Sequence, residues 1–389
     1  MKVLQINSVA GIRSTGRICT DIADVLIKDG NECVIAYGRE DVPEKYRDIS
    51  YRIGSDTDVK LHVLASRVLD SSGFHSKSAT GKLIKYIDEY EPDVIHLHNI
   101  HGYYINVELL FDYLKKKSIP VIWTLHDCWA YTGHCSCYSA AGCDKWRTGC
   151  EYCPQKGEYP KSVLFDGSER NFARKKKAFC GMPNMTIVTP SEWLAGEVKN
   201  SFLGEYRVEV INNGIDLDIF KPTESDFRKR YGLEDKKIVL GVATAWGERK
   251  GLGDYYKLAR IIDDRFRIVL VGLTEDQIKS VPKDIIAIER TNSAVELAGI
   301  YSASDVFVNM TYEDNYPTVN LEAQACGTPV ITYCTGGSVE SVPEKNIVEQ
   351  GNIDAVAELI TRELEVGRQD FSKIDMVKKY VSLIQEMKK

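Results

Sequence analysis

The sequence predicts an α/β protein made of two doubly wound parallel sheets. Short β-branched runs alternate with amphipathic helical stretches along the whole chain, and the βαβαβ pattern occurs twice. Many of the runs are apolar without strict alternation, as strands covered on both faces are.

The first-half strands are read at 2–8, 32–38, 93–99, 120–127, 185–191 and 207–213. The second-half strands are read at 236–243, 265–272, 284–290, 305–311 and 329–333. Helices fill the gaps, among them 17–29, 106–117, 252–262 and 319–326. Ser293 with Glu296 three residues later reads as a capping box opening another helix. Asn-Gly, several Asp and a Pro make 212–222 the hinge. The expected domains are 1–213 and 214–368, with a last amphipathic helix in 369–389 packing back on the first.

The chain has 389 residues, 43% apolar and 27% charged, which suits two cores and excludes disorder. A net charge of −6 argues against a nucleic-acid partner. No run reaches the length of a membrane span, and "MKVLQINSVAG" is too weakly apolar and basic for a secretory signal. These features predict a cytoplasmic protein. In a reducing compartment, eleven cysteines with five between Cys135 and Cys153 point to metal before disulfides.

Those five lie in the segment 128–165, which is too long for an ordinary connection and is read as an insertion in the first domain. The Cys150–Cys153 pair has zinc-knuckle spacing, and Cys135 with Cys143 completes four thiolates for a structural zinc, leaving Cys137 spare. Reduced, packed thiols and a disulfide pair are the alternatives. The following helix, 168–179, carries Arg170, Arg174, Lys175, Lys176 and Lys177. Its basic face either rests on anionic lipid, placing the protein on the inner face of the membrane, or is simply solvated.

The chemistry is concentrated where strands end. In "EDNYPTVNLEAQACGTPVIT" (313–332) a polar turn leads into a helix, and ligands of parallel sheets sit at such strand ends and helix N-termini. Asp314 and Asn315 stand at that mouth, and Glu322 lies one helix further on, where a carboxylate can accept from both hydroxyls of a ribose. The plainer reading makes Asp314 or Asn315 an N-cap and leaves Glu322 facing solvent. A second strand end, "TAWGERKGLGDYYKLA" (244–259), offers Arg249 and Lys250 to a pyrophosphate. In the first half, "SVAGIRSTGRICTDIADVL" (8–26) is a Gly-containing turn into a helix, and His98 and His126 each end a strand and are expected to open into a cleft.

Together these segments resemble the family-4 retaining glycosyltransferases of GT-B fold. The resemblance runs through "TPSEWLAGEVKNSF" (189–202), "VINNGIDLDIFKP" (210–222), "ERKGL" (248–252), 301–331 and "TGGSVE" (335–340), and a subset of the family shares the "GC" and "CxxCP" of the cysteine segment. It implies an acceptor-binding first domain and a second domain that binds a nucleotide-sugar donor, UDP- in preference to GDP-. It also implies that Glu322 holds the ribose, Asp314 contacts the transferred sugar and Lys250 grips the phosphates. Arg249 stands in for a family arginine absent near Ala245. His126 lines the active site, Gly16 and Arg17 approach the phosphates, and Asn315, Tyr316, Thr318 and Val319 line the donor site. The expected reaction is transfer of a hexose-type sugar to a glycan or lipid-linked glycan of a surface polysaccharide, with no cofactor needed for catalysis. Asp314 replaces the commoner Glu, and Pro317 lacks an N–H. A sugar-nucleotide epimerase and a non-catalytic scaffold using the cysteine module are the rival functions.

Overall fold

The computed structural model describes residues 1–388. Two compact units emerge, Met1–Ile211 rejoined by the chain from Met376 onward, and Asn212–Asp375. The first unit therefore ends two residues before the expected 213, and residues 369–375 belong to the second.

The first unit holds a seven-stranded parallel sheet: β1 Lys2–Asn7, β2 Glu32–Tyr37, β3 Ser50–Arg52, β4 Val94–Leu97, β5 Val121–Thr124, β6 Met185–Thr189 and β7 Arg207–Val210. The order is β3-β2-β1-β4-β5-β6-β7, so the winding direction reverses between β1 and β4. β4, β5 and β6 are wholly buried, in keeping with their largely apolar runs. Helix Lys373–Met387 closes one face of this sheet. Its Tyr380, Leu383 and Ile384 join Ile22, Leu26, Ile122 and Val188 in one core, and burying each such side chain stabilises by roughly 1.5–3 kcal/mol.

The second unit holds six parallel strands: β8 Lys237–Val242, β9 Phe266–Val271, β10 Ile285–Ile288, β11 Val306–Asn309, β12 Val330–Tyr333 and β13 Ile347–Val348. The order is β10-β9-β8-β11-β12-β13, and the reversal falls between β8 and β11. Both units thus share the doubly wound order whose switch point takes ligands. This is the predicted fold class, with two short strands added. β3 and β13, three and two residues long, lack the sustained apolar run that marks the others.

Some local expectations change. The first helix is Arg13–Lys28, so Gly16 and Arg17 lie inside its first turns and not in the preceding loop. The left-handed backbone of that loop is at Gly11 and Arg13. The helix starting at Leu252 ends at Leu258. The box at Ser293 is half formed: Ser293 Oγ accepts from the Glu296 amide, but the Glu296 carboxylate turns to the Asn292 amide. Among the described residues no helix is long and apolar enough to cross a membrane.

Candidate active site

In the second unit the loops leaving β8 and β11 lie at the switch point and meet there. The first ends in a short 3-10 turn, Glu248–Lys250, followed by Gly251 at φ 70°. A Cβ at Gly251 would sit 2.1 Å from the Met310 carbonyl oxygen, so only glycine lets this turn press against the end of β11. The contact is fastened by the Tyr312 amide donating to the Arg249 carbonyl at 2.8 Å.

That approach brings Lys250 Nζ within 2.5 Å of Asp314 Oδ2, both side chains about four-fifths buried at 20% and 18% exposure. The other Asp314 oxygen accepts from the Asn315 amide at 3.0 Å. The Arg249 guanidinium donates to the Glu313 carbonyl at 3.2 Å, beside the same loop. Helix Thr318–Ala325 follows, with Pro317 as its N-cap residue and no side-chain cap. Asp314 and Asn315 therefore do not cap it, and the half-buried Thr318 and Val319 open it. Glu322 is half-buried rather than facing solvent, and accepts from the Tyr301 hydroxyl at 3.1 Å.

A buried amide and hydroxyl network fixes this helix. Asn309 donates to Asn320, which donates to Ser338 and Ser341 at 3.2 and 3.1 Å, while Gln324 donates to the Ser341 carbonyl. The "TGGSVE" turn thus serves to hold the helix in register. Tyr316 turns its side chain inward, 5% exposed and packed in the core, and supports the loop from beneath.

The first unit builds its strand ends differently. His126 is half-buried, with Nε2 3.2 Å from His98 Nδ1, and His98 Nε2 is 3.2 Å from Gln5 Oε1. His98 is 1% exposed, so it does not open outward as expected. It stands behind His126 as its support. The Gln5 amide nitrogen donates to the Cys19 carbonyl, so Oε1 accepts from His98. Neutral His98 then accepts from His126 Nε2–H, and Nδ1 is the acceptor nitrogen of His126. Burial pulls His126 down to about 4 and His98 well below its ordinary 6.5, so both rings are neutral near pH 7. The His96-x-His98 pair is spent the same way, His96 bonding Thr124 at 2.9 Å.

Beside this column lies a pair that the sequence did not single out as a unit. His101 Nε2 is 2.9 Å from Asp127 Oδ2, and His101 Nδ1 is 3.1 Å from the Tyr159 hydroxyl. Burial pushes Asp127 up, but His101, the Trp129 amide and His126 together leave it below the usual carboxylate value. His98, His101, His126 and Asp127 line one small pocket. Its signal was the "HLHNIHG" stretch, in which His101 follows the strand by a few residues.

The basic face expected on helix Ser168–Phe179 forms only in part: Arg170, Lys176 and Lys177 are exposed. Lys175 is 1% exposed and donates to the Trp129 and Thr132 carbonyls. Arg174 chelates Glu108, and Arg170 donates to the Leu69 carbonyl. Val163, Leu164 and Phe165 form an exposed apolar run, tied to the end of the helix Asp56–Leu69 by the bonds of Val163 and Phe165 to the Arg67 and Val68 carbonyls. In the cysteine segment, Cys135, Cys143, Cys150 and Cys153 line a single pocket, while Cys137 does not. Among the described residues no disulfide joins any of the cysteines.

Residues 15–219 match Glycosyltransferase Family 4, and residues 223–375 match Glycosyl transferases group 1. WcaC of Escherichia coli (strain K12), named a colanic acid biosynthesis glycosyl transferase, is 27% identical over 62% of this chain and 59% of its own length. The processive diacylglycerol alpha-glucosyltransferase of Acholeplasma laidlawii is 30% identical over 37% of this chain and 47% of its own length. The chain thus spans about half the length of these relatives. Among solved structures, sucrose-phosphate synthase from Thermosynechococcus elongatus superposes with a TM-score of 0.70 at 16% identity, covering 99% of this chain and 98% of that one. HepE from Anabaena in complex with UDP gives 0.67 at 14% identity, covering 99% and 100%. These likenesses fix the fold as GT-B. With the first match alone covering more than half of the residues, the chain belongs to glycosyltransferase family 4.

Proposed function

We propose that the protein transfers a hexose-type sugar from a nucleotide-sugar, UDP- in preference to GDP-, to a glycan or lipid-linked glycan of a surface polysaccharide, with retention at the anomeric carbon. The observation that carries this reading is the buried Lys250–Asp314 pair at the second unit's switch point, with Glu322 one helix further on. A donor diphosphate competes with Asp314 for Lys250. The ammonium turns to the phosphates and Asp314 is released to the sugar hydroxyls. Glu322, already oriented by Tyr301, accepts from the ribose.

As the bond from the anomeric carbon to the phosphate oxygen breaks, negative charge grows on the diphosphate, and Lys250, Arg249 and the uncapped helix start at Thr318 stabilise it. The acceptor hydroxyl attacks from the face the diphosphate leaves and passes its proton to the departing phosphate oxygen. Neutral His126 accepts a hydrogen bond from a sugar hydroxyl, which an imidazolium would not do. No protein nucleophile is invoked: Asp127 is committed to His101, and Asp314, once released, is taken up by the sugar hydroxyls. The exposed apolar run Val163–Phe165 favours an acceptor carrying a lipid. The names of the WcaC and Acholeplasma relatives agree with a polysaccharide or lipid acceptor.

NMR of the product tests the mechanism. Retention of the donor's anomeric configuration, with no enzyme adduct, is expected; an inverted linkage would overturn it. Thermal stabilisation by UDP and not GDP is the expected result for the donor base.

A further inference from the structure

The first unit carries a second built site whose residues the transfer reaction does not use. Four thiols, Cys135, Cys143, Cys150 and Cys153, line one small pocket together with His134, Tyr138 and Trp146. Cys135 and Cys153 are in hydrogen-bonding contact, Cys150 acts electrostatically on Cys135, and Cys153 and Cys143 act on Cys150. Cys150 Sγ accepts from the Gly133 amide at 3.1 Å, the kind of N–H···S bond that steadies a thiolate. Gly133 makes this possible: a Cβ there would lie 2.6 Å from Cys150 Cβ and 2.2 Å from the Ser168 carbonyl oxygen. The local chain is fixed by its own aromatic core of Tyr131, Tyr138 and Trp146.

Two buried polar groups at this site lack the partners their burial demands. His134 is 2% exposed; its Nδ1 is 2.5 Å from Asp70, and its Nε2, in the pocket wall, is buried without a hydrogen bond. A carboxylate behind one ring nitrogen is how proteins orient a metal-binding histidine through the other. Lys175 is 1% exposed and bonded to two carbonyls, with no carboxylate ion pair among the described residues, and burial pulls its ammonium down to about 7. Of the acidic groups whose field reaches it, Cys135 and Cys150 act most strongly, ahead of Asp70 and Asp127. An unpaired buried charge is costly, and a negatively charged cluster at those sulfurs would offset it.

We propose that this pocket binds one structural zinc ion through Cys135, Cys150 and Cys153, with the fourth position filled by Cys143 or His134. Each ligating thiol gives its proton to solvent. Three or four thiolates leave the centre with net negative charge, and Lys175 is its buried counter-ion. Among the described residues no three His, Cys, Asp or Glu side chains are grouped closely enough to hold a metal as they stand, so binding draws inward thiols that already share one pocket. Thiolates in a tetrahedral set select zinc over harder cations. The proposal does not rest on the assigned reaction.

The test uses the full chain purified without added metal. Elemental analysis should find about one zinc per chain. Cys150→Ser and Cys153→Ser should lose it, and Cys137→Ser, outside the pocket, should keep it. Cobalt substitution of the unmutated chain, which does not depend on any variant folding, should give thiolate charge-transfer absorption. Loss of zinc from Cys143→Ser or from His134→Gln names the fourth ligand. A metal-free folded chain with freely reactive pocket thiols would overturn the proposal. So would iron in place of zinc, or a mass two hydrogens lighter from a Cys135–Cys153 disulfide.

Discussion

The carboxyl ends of the strands in the two units are topologically alike and electrostatically opposite. At β8 and β11 the second unit keeps charge: Lys250 against Asp314, with Arg249 alongside. At β1, β4 and β5 the first unit stacks Gln5, His98 and His126 in a column of neutral donors and acceptors, with the Asp127 carboxylate beside it held by His101. A doubly wound switch point therefore fixes where a ligand goes but not which kind. Paired ions suit a ligand that brings charge of its own, such as a diphosphate. Neutral imidazoles suit hydroxyls.

The sharpest way to break this contrast is to remove the cation. Lys250→Ala should lower turnover roughly a hundred- to a thousand-fold, as loss of one preorganised stabiliser does. Steady-state kinetics showing only a raised KM would reduce Lys250 to a binding residue.

Acid tests the neutral side. Burial holds His62 and His96 at about 3 and His126 at about 4, against 6.5 when unfolded. Because the unfolded chain binds the extra protons, stability is fully present above about pH 6.5 and falls as pH drops toward 4. Each fully buried ring costs roughly 2 kcal/mol by pH 5. Urea titrations with a probe in the first unit should show this loss; a midpoint constant from pH 7 to 5 would contradict it.

Glu322→Ala comes next, weakening nucleotide binding by about 1–3 kcal/mol with the loss of one charged partner. Calorimetry showing unchanged affinity would remove Glu322 from the ribose. Tyr301→Phe should be the mildest change, about 0.5–1.5 kcal/mol in the same assay, because it only unfastens that carboxylate.

The frame was legible because buried parallel strands announce themselves as apolar runs, and Lys250, Asp314 and Glu322 were legible because they interrupt such runs at strand ends. Other residues were not, for the same physical reason. A polar residue in a sequence does not say whether it faces water or a buried partner. Lys175 looked like part of a solvated basic face and lies in the core against Trp129, Tyr316 reads as a loop residue and turns its side chain into the core, and His98 looked exposed and props His126. The His101–Asp127 pair joins two loops 26 residues apart, a proximity only the sheet order creates.

The return of the chain to the first unit at Met376 has a consequence for biosynthesis. Until that helix is made, Ile22, Leu26, Ile122 and Val188 have no Tyr380, Leu383 or Ile384 to pack against. The ribosome must complete the whole second unit while the first waits with an apolar face uncovered. The first-made half of the protein is therefore the last to finish folding, and a nascent chain stalled anywhere in the second unit should be a client for chaperones that hold apolar surface.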